Sequence, residues 1–220
     1  SERFSSVLIV GIDRSKYLLS KLQSCRERNV LTVLGDITDL PFKNGFFDLV
    51  VTVQVLHEIL HFKGEPFLKK TLQDIYELLK NEGSFIIFDH ANPGDAPISL
   101  ELSKELLEKL CEFQSKFEPR SITYEDLGKG RIRIATRDFY DFVTKIWALN
   151  TELEEEEMSE THTPFTCQEL VKLIRETGFE IVHAASLTQI NRHLEYYGIS
   201  LNSAANLPNR HIILHAKRIE

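Results

Sequence analysis

With 220 residues, a hydrophobic fraction of 42% and a charged fraction of 27%, the chain is long enough for one substantial core and has an ordinary globular composition. The net charge of -7 offers no broad positive surface to a phosphate backbone, which favours a small-molecule substrate and makes a nucleic acid unlikely as a partner. No apolar run approaches the roughly 20 residues that span a bilayer, and three cysteines without a Cys-x-x-Cys pair argue against a disulfide framework, so we expect a cytoplasmic protein.

Strands and helices alternate from the start of the chain. Residues 7–12 form an apolar run that ends at Asp13, and residues 15–28 carry leucines at helical spacing. Residues 30–34 and 49–53 are two further apolar runs rich in β-branched side chains, which predicts strands. Because these strands are apolar nearly throughout, we expect burial on both faces, as in a parallel sheet covered by helices.

The same rhythm continues to the C-terminus. Residues 66–79 have helical spacing and residues 84–88 predict the next strand. A capping box opens a helix over residues 166–178, followed by apolar runs at residues 179–183 and 211–216. Since βαβ units cross over with a right-handed connection, this order predicts a doubly wound α/β sheet.

One segment, residues 96–164, breaks this rhythm. Residues 99–117 and 137–149 have the spacing of amphipathic helices. Residues 120–133 between them are polar and contain two glycines, which indicates a loop or mobile flap. The acidic run at residues 152–157 is typical of a solvated helix face or connector. We therefore expect a helical insertion that covers the edge of the sheet.

The connection between the last two predicted strands, residues 186–207, is unusually long. Long ordered connections tend to be functional. It could contribute polar and aromatic groups to a substrate pocket, and equally to a homodimer contact.

A composite motif runs through residues 35–58. It consists of Gly35-Asp36, Leu40-Pro41-Phe42, Phe47-Asp48 and Leu56-His57. In this order and spacing it resembles the middle of a class I S-adenosylmethionine-dependent methyltransferase, and most closely the group that includes the ubiquinone and menaquinone biosynthesis enzymes. The resemblance covers about residues 5–95 and 164–218.

The resemblance implies a fold and an activity. The fold would be one Rossmann-like methyltransferase domain over residues 1–220, with its last strand antiparallel and residues 96–164 inserted after the fifth family strand as a lid. The activity would be methyl transfer from S-adenosylmethionine to an oxygen, nitrogen or carbon of a small molecule, which leaves S-adenosylhomocysteine.

Carried over residue by residue, the resemblance assigns the cofactor to six residues at strand ends: Asp13, Arg14, Asp36, Ile37, Gln54 and Val55. The Asp13 carboxylate would accept hydrogen bonds from the two ribose hydroxyls. Asp36 would accept from the adenine amino group, with the backbone of Ile37 beside the ring. Gln54 and Val55 follow a strand where the family contacts the methionine end.

The candidate catalytic residues are His57, His90 and Tyr140, with His162 and Glu58 behind them. His57 belongs to the composite motif, but a histidine at a helix start is more often a locally hydrogen-bonded structural residue. The other histidines are scattered along the chain, and we expect no metal site from the sequence.

One family feature is absent from the chain. No Gly-x-Gly-x-Gly loop is present, and the first strand, residues 7–12, matches the second strand of the family. The unmatched strand would lie between residues 7–12 and 49–53, and its loss would leave two strand edges without partners. We therefore expect a chain that begins downstream of its natural start, with this strand truncated or supplied by another segment; the alternative is a rearranged sheet.

Three other functions stay open. The missing glycine loop would suit a non-catalytic methyltransferase-like binding module. Asp13 could also hold the ribose of a dinucleotide in a dehydrogenase, although Gly35-Asp36 and the antiparallel final strand disfavour it. A tRNA methyltransferase would need a local basic patch, for which the candidates are Lys129, Arg131, Arg133 and Arg137.

Overall fold

The computed structural model describes residues 7–24, 29–187, 190–201 and 207–219. Residues 25–28 of the first predicted helix and parts of the long connection lie outside these ranges. The described residues form three separate sheets and the helices that pack on them. No helix in the described ranges is both long and apolar enough to cross a membrane.

The first sheet contains two parallel strands, β1 (Ile9–Asp13) and β2 (Val30–Leu34). Helix α1 (Lys16–Ser24) connects them and packs on both. Because the strands are parallel and in register, their carboxyl ends lie side by side, with Asp13 opposite Leu34.

The central sheet has four strands, which in spatial order are β3 (Phe47–Val53), β4 (Leu79–His90), β10 (His211–Arg218) and β8 (Phe179–Leu187). β3 and β4 are parallel, while β10 runs antiparallel to both of its neighbours. This confirms the expected α/β fold with an antiparallel final strand.

Three helices cover one face of the central sheet: α2 (Leu56–Lys63), α3 (Glu65–Leu78) and α7 (Cys167–Glu176). Their apolar side chains pack with those of β4 and β10 in one core, and full burial of each large one stabilises the fold by about 1.5–3 kcal/mol. At the start of α7, Thr166 and Glu169 form the predicted capping box.

Strand β3 is exposed on one face, whereas the sequence predicted burial on both faces. Leu49, Val51 and Val53 are 46%, 51% and 60% exposed. β3 is the edge strand of the central sheet, and no strand of the described residues joins it to β1. The hydrogen-bonding edge of β3 that has no partner strand among the described residues therefore borders the position between β1 and β3 that the resemblance assigns to another strand.

The insertion contains more than the predicted helices. Its elements are β5 (Pro97–Glu101), α4 (Lys104–Lys116), β6 (Tyr124–Gly128), β7 (Arg131–Ala135), α5 (Thr136–Lys145) and α6 (Glu154–Ser159). The connection of residues 186–207 adds α8 (Asn191–Tyr197) and β9 (Ser200–Leu201). The strand order β6-β7-β5-β9 makes an antiparallel sheet with a core of its own.

The prediction of a loop at residues 120–133 is wrong, because most of this segment forms the hairpin β6–β7. In β7 the buried Ile132 and Ile134 alternate with exposed arginines, a two-residue period that is typical of a half-buried strand. The outward-facing arginines make the mean composition of the segment polar, and this is why the sequence prediction missed the apolar face of the strand.

Gly130 in this hairpin is expected to be irreplaceable. Its φ is +78°, and a Cβ added there would lie 2.6 Å from the carbonyl oxygen of Leu102. Gly128 has a φ of +79°, but in the described part of the chain no atom lies within 4 Å of the position that its Cβ would take. Both alanine variants incur the left-handed strain of about 1–2 kcal/mol, and Gly130→Ala alone adds a backbone clash. Urea unfolding should show Gly130→Ala as the less stable protein; equal losses would contradict this geometry.

Candidate functional site

The six residues predicted to hold the cofactor follow the carboxyl ends of β1, β2 and β3. Asp13 ends β1, and its carbonyl oxygen accepts a hydrogen bond from Gly35 at 3.1 Å. Asp36 therefore lies close to Asp13. Since ligands of open α/β sheets bind beyond the carboxyl ends of the strands, this edge is the candidate cofactor site.

Asp13 retains a free acceptor. Its Oδ1 accepts a hydrogen bond from the backbone nitrogen of Ser15 at 2.7 Å, which fixes the turn into α1. Among the described contacts its other carboxylate oxygen has no hydrogen-bond donor. A partly buried carboxylate with one free oxygen at a strand end fits a vicinal diol such as a ribose.

Asp36 is more fully engaged. Its Oδ1 accepts from the backbone nitrogen and hydroxyl of Thr38, and its Oδ2 accepts from Lys63 Nζ at 2.9 Å. Partial burial opposes ionisation, but these hydrogen bonds and the lysine charge lower the pKa of Asp36 to about 2. Because a carboxylate oxygen has two lone pairs, Oδ2 can still accept a hydrogen bond from an amino group.

Helix α2 joins the two sheets at this edge. Lys63 at its end contacts Asp36, and Glu58 near its start accepts a 3.4 Å hydrogen bond from Arg14 Nη2. Arg14 is 62% exposed, so this pair contributes less than about 1 kcal/mol. Burial raises the pKa of Glu58. Arg14 is thus held at the rim of the site rather than in the core.

Gln54 has a strained backbone, with φ at +51° directly after β3. Its nitrogen donates to the carbonyl oxygen of Phe88 at 2.7 Å, which holds the strained turn in place. Residues in this conformation occur often at ligand sites.

We expect Gln54→Gly to raise the free energy of unfolding by about 0.5–1 kcal/mol and Gln54→Ala to leave it unchanged. Equal thermal stability of the two variants would argue against strain at this position.

A second cluster lies where β4 and α2 meet the insertion. Asp89 is fully buried, and its Oδ1 lies 2.7 Å from Nδ1 of His57. The rings of His57 and His90 are in edge contact, with centroids 4.7 Å apart. Although burial opposes protonation of His57, the hydrogen bond and charge of Asp89 raise its pKa, whereas burial lowers the pKa of His90. The structure therefore brings two predicted catalytic residues together.

His162 completes this cluster from the insertion. Its ring stacks on that of His90, with centroids 4.5 Å apart, and its Nε2 lies 3.4 Å from Glu160 Oε1. The ammonium group of the fully buried Lys145 contacts Glu160 and Glu157 at 3.2 and 2.8 Å. Burial opposes ionisation of Glu160, but His162 and Lys145 lower its pKa to about 2.

Arg120 and Asp141 hold this part of the insertion in place. Arg120 donates to Asp138 through Nε and to Asp141 through Nη2, both at 2.7 Å. The fully buried Asp141 also accepts from the backbone nitrogen of His162 at 2.8 Å. The position of His162 therefore depends on a buried ion pair.

Tyr140 has the contacts of a core residue. It is 1% exposed, its hydroxyl donates to the carbonyl oxygen of Pro208 at 2.6 Å, and burial raises its pKa. Because its hydroxyl is already committed to the backbone, Tyr140 has no part in the function proposed below.

A cleft of about 490 Å³ lies between the cofactor edge and the insertion. Its lining residues are Arg14, Phe62, Glu118, Glu152, Glu155, Glu156 and Ser159. The acidic run predicted as a solvated face or connector therefore forms one wall of this cleft through α6. A ligand in the cleft would contact both Arg14 and the insertion.

Sequence reasoning missed Lys63, Asp141, Lys145 and Glu160. Asp141 and Lys145 had a detectable signal, since both lie among apolar positions of the helix that was predicted at residues 137–149. A charged residue on a buried helix face requires a buried partner. Lys63 and Glu160 carry no such local signal.

Comparison with known proteins agrees with this fold. The profile of the family described as "Methyltransferase domain" matches residues 2–87. The uncharacterized methyltransferase YcgJ of Bacillus subtilis (strain 168) is 25% identical over 139 residues, which are 57% of this chain and 52% of YcgJ. The Xenopus tropicalis tRNA (carboxymethyluridine(34)-5-O)-methyltransferase alkbh8 is 34% identical over 80 residues, 36% of this chain and 12% of that protein. The chain thus spans about half, or less, of these relatives.

Solved structures extend the likeness beyond residue 87. An S-adenosylmethionine-dependent methyltransferase from Mesorhizobium loti aligns with 96% of this chain and 80% of its own length, at a TM-score of 0.55 and 13% identity. At this identity the likeness concerns the fold alone, and it confirms the expected Rossmann-like methyltransferase architecture.

Proposed function

We propose that this chain is a class I S-adenosylmethionine-dependent methyltransferase, which transfers a methyl group from S-adenosylmethionine to a small-molecule acceptor; the match to the methyltransferase-domain profile and the fold support this proposal. The observation that carries this proposal is the pair of adjacent carboxylates, Asp13 and Asp36, at the carboxyl edge of β1 and β2. S-adenosylhomocysteine is the expected second product.

The described residues suit the adenosine part of the cofactor. Asp13 would bind the ribose hydroxyls through its free oxygen, and Asp36 would bind the adenine amino group beside Lys63. Ile37 would flank the ring, while Gln54 and Val55 lie on the side of the methionine group. When bound, the cofactor supplies a methyl group on a sulfonium, so the protein has mainly to bind and orient an acceptor.

We place the acceptor between the cofactor edge and the insertion. The cleft beside Arg14 lies at this boundary, and the His57–His90–His162 cluster lies where the insertion meets β4 and α2. An imidazole there can hydrogen-bond an acceptor hydroxyl or amine and accept its proton. The insertion would exclude water from the acceptor, in keeping with a lid over residues 96–164.

Transfer of a labelled methyl group tests this proposal. The chain would be incubated with S-adenosylmethionine labelled at the methyl, together with either a small-molecule extract or total RNA. We expect label in the small-molecule fraction, with loss in Asp13→Ala and no change in the matched surface variant Asp74→Ala. Label in RNA alone would refute the acceptor class, and label in neither fraction would favour the non-catalytic binding module.

The tRNA methyltransferase among the relatives gives the RNA alternative a specific basis. Four basic residues of the proposed patch lie on or after the β6–β7 hairpin, but Arg133 pairs with Glu125 at 2.8 Å and Arg137 pairs with Asp95 at 3.1 Å. We therefore expect the double variant Lys129→Gln, Arg131→Gln to retain methyl transfer to a small acceptor within about twofold. A loss of methyl transfer to RNA that grows as the salt concentration is lowered would instead indicate phosphate contacts.

A further inference from the structure

Three histidines that are distant in sequence meet at the junction of the central sheet and the insertion. His57 lies in the first turn of α2, His90 ends β4 and His162 follows α6. One ring nitrogen of each lies within 4.8 Å of those of the other two. We propose that His57, His90 and His162 form a binding site for one divalent transition-metal ion of the zinc type.

The contact between His57 and Asp89 is the kind that orients a metal ligand. Asp89 is fully buried and accepts hydrogen bonds from the backbone nitrogens of Leu56 and His90, both at 2.8 Å. With this carboxylate fixed, its 2.7 Å contact assigns the hydrogen of His57 to Nδ1 and leaves Nε2 as the electron-pair donor. Carboxylate–histidine pairs of this geometry support metal ions in many proteins.

His90 provides an independent observation. It is 4% exposed, and its buried Nδ1 has no hydrogen-bond partner among the residues that the structure describes. A buried polar atom without a partner costs about 1–3 kcal/mol. A metal ion bound between the three rings would give His90 a polar partner that its buried ring otherwise lacks at Nδ1 if that nitrogen is the ligand.

Hydrogen bonds with Asp141 and Thr144 also fix the position of His162. Its backbone nitrogen donates to Asp141, and its Nδ1 lies 3.2 Å from the hydroxyl of Thr144, which leaves Nε2 on the side of Glu160. Glu157 and Glu160 share the single ammonium group of Lys145, so their surplus negative charge favours a nearby cation. Because Lys145 occupies these carboxylates, we assign them to the surroundings of the ion rather than to its ligands.

The ligand set determines the class of ion. Imidazole nitrogens suit zinc and its neighbours, whereas calcium and magnesium take oxygen ligands. At zinc–nitrogen distances of about 2.1 Å, tetrahedral ligand atoms are roughly 3.4 Å apart, a spacing that lies inside the 4.8 Å within which the three ring nitrogens fall. Three protein ligands leave a fourth position for water. If the proposed methyl transfer holds, an acceptor oxygen or nitrogen could occupy that position, and His57 and His90 would act on it through the ion.

Metal binding can be measured without any activity. The chain, free of affinity tags, is stripped with a chelator and titrated with Zn²⁺ by calorimetry and with Co²⁺ by visible absorption. We expect one ion per chain and the visible bands of tetrahedral cobalt. His90→Gln should weaken binding at least about a hundredfold, while His183→Gln, an exposed histidine on β8, should not change it.

His162→Gln gives a second test at a less buried ring, 14% exposed, in case His90→Gln does not fold. Absence of saturable binding by the unmodified chain would overturn the proposal. Unchanged affinity in a folded His90→Gln or His162→Gln variant would overturn it as well. A parallel titration with S-adenosylhomocysteine separates the two sites, because cofactor binding without metal binding would remove this proposal and leave the methyltransferase proposal standing.

Discussion

Replacing Asp141 with alanine is expected to lower the free energy of unfolding by about 3–5 kcal/mol. The side chain is fully buried, and its Oδ2 accepts from Arg120 and Thr161 at 2.7 Å and from Thr163 at 3.2 Å. Its loss would leave Nη2 of the largely buried Arg120 guanidinium and two hydroxyls without this acceptor, while Arg120 Nε keeps its bond to Asp138. Urea denaturation followed by circular dichroism measures the effect.

Two comparisons make this result specific. Asp95→Ala removes a carboxylate from an exposed aspartate–arginine pair with Arg137 at 3.1 Å and should cost less than about 1 kcal/mol. In an Arg120→Met background, Asp141→Ala should cost less than it does alone, because no buried guanidinium then loses one of its two carboxylate partners. A loss below about 1 kcal/mol for the single variant would contradict the buried network.

The second large effect is expected from Asp89→Asn. The amide nitrogen of the asparagine would replace one of the two carboxylate oxygens and would then face a hydrogen-bond donor. In one orientation that donor is the backbone nitrogen of Leu56. In the other orientation the donors are the His57 ring and the backbone nitrogen of His90. We expect a loss of about 1–3 kcal/mol in stability. Because His57 loses its fixed orientation, methyl transfer should fall by about 10–100-fold.

Cofactor affinity distinguishes a lost orientation of His57 from unfolding of the whole protein. The described hydrogen bonds of Asp89 are with Leu56, His57 and His90 and not with Asp13 or Asp36, so the folded Asp89→Asn variant should bind S-adenosylhomocysteine within about twofold of the unmodified chain. Asp48→Asn, at a surface pair with Lys80, is the matched control and should change neither property. Normal methyl transfer by Asp89→Asn would refute the orienting role.

Local sequence patterns were sufficient to predict the strands of the sheet and the candidate cofactor residues at their carboxyl ends. The βαβ rhythm follows from apolar runs of a few residues, and Asp13 and Asp36 are recognisable because each follows such a run directly. Position at a strand end also brought His90 into the candidate set. These features depend on neighbours in sequence, so sequence alone could predict them.

The rest depends on contacts between distant residues. His57, His90 and His162 show no metal-like spacing, and only the packing of the insertion against β4 and α2 brings them together. Strand β9 completes the sheet of the insertion by pairing with β5. The two strands are about 100 residues apart in the chain, since Leu201 pairs with Leu100. In β7, alternating arginines masked a strand that pairs on both sides.

Calorimetric titration of S-adenosylhomocysteine into the chain tests the central claim most directly. The account predicts binding of one molecule per chain, weakened at least about tenfold in Asp13→Ala and in Asp36→Ala, and unchanged in the surface variant Asp74→Ala. Absence of binding by the unmodified chain, or equal affinity in all four proteins, would contradict the assignment of this strand edge as the cofactor site.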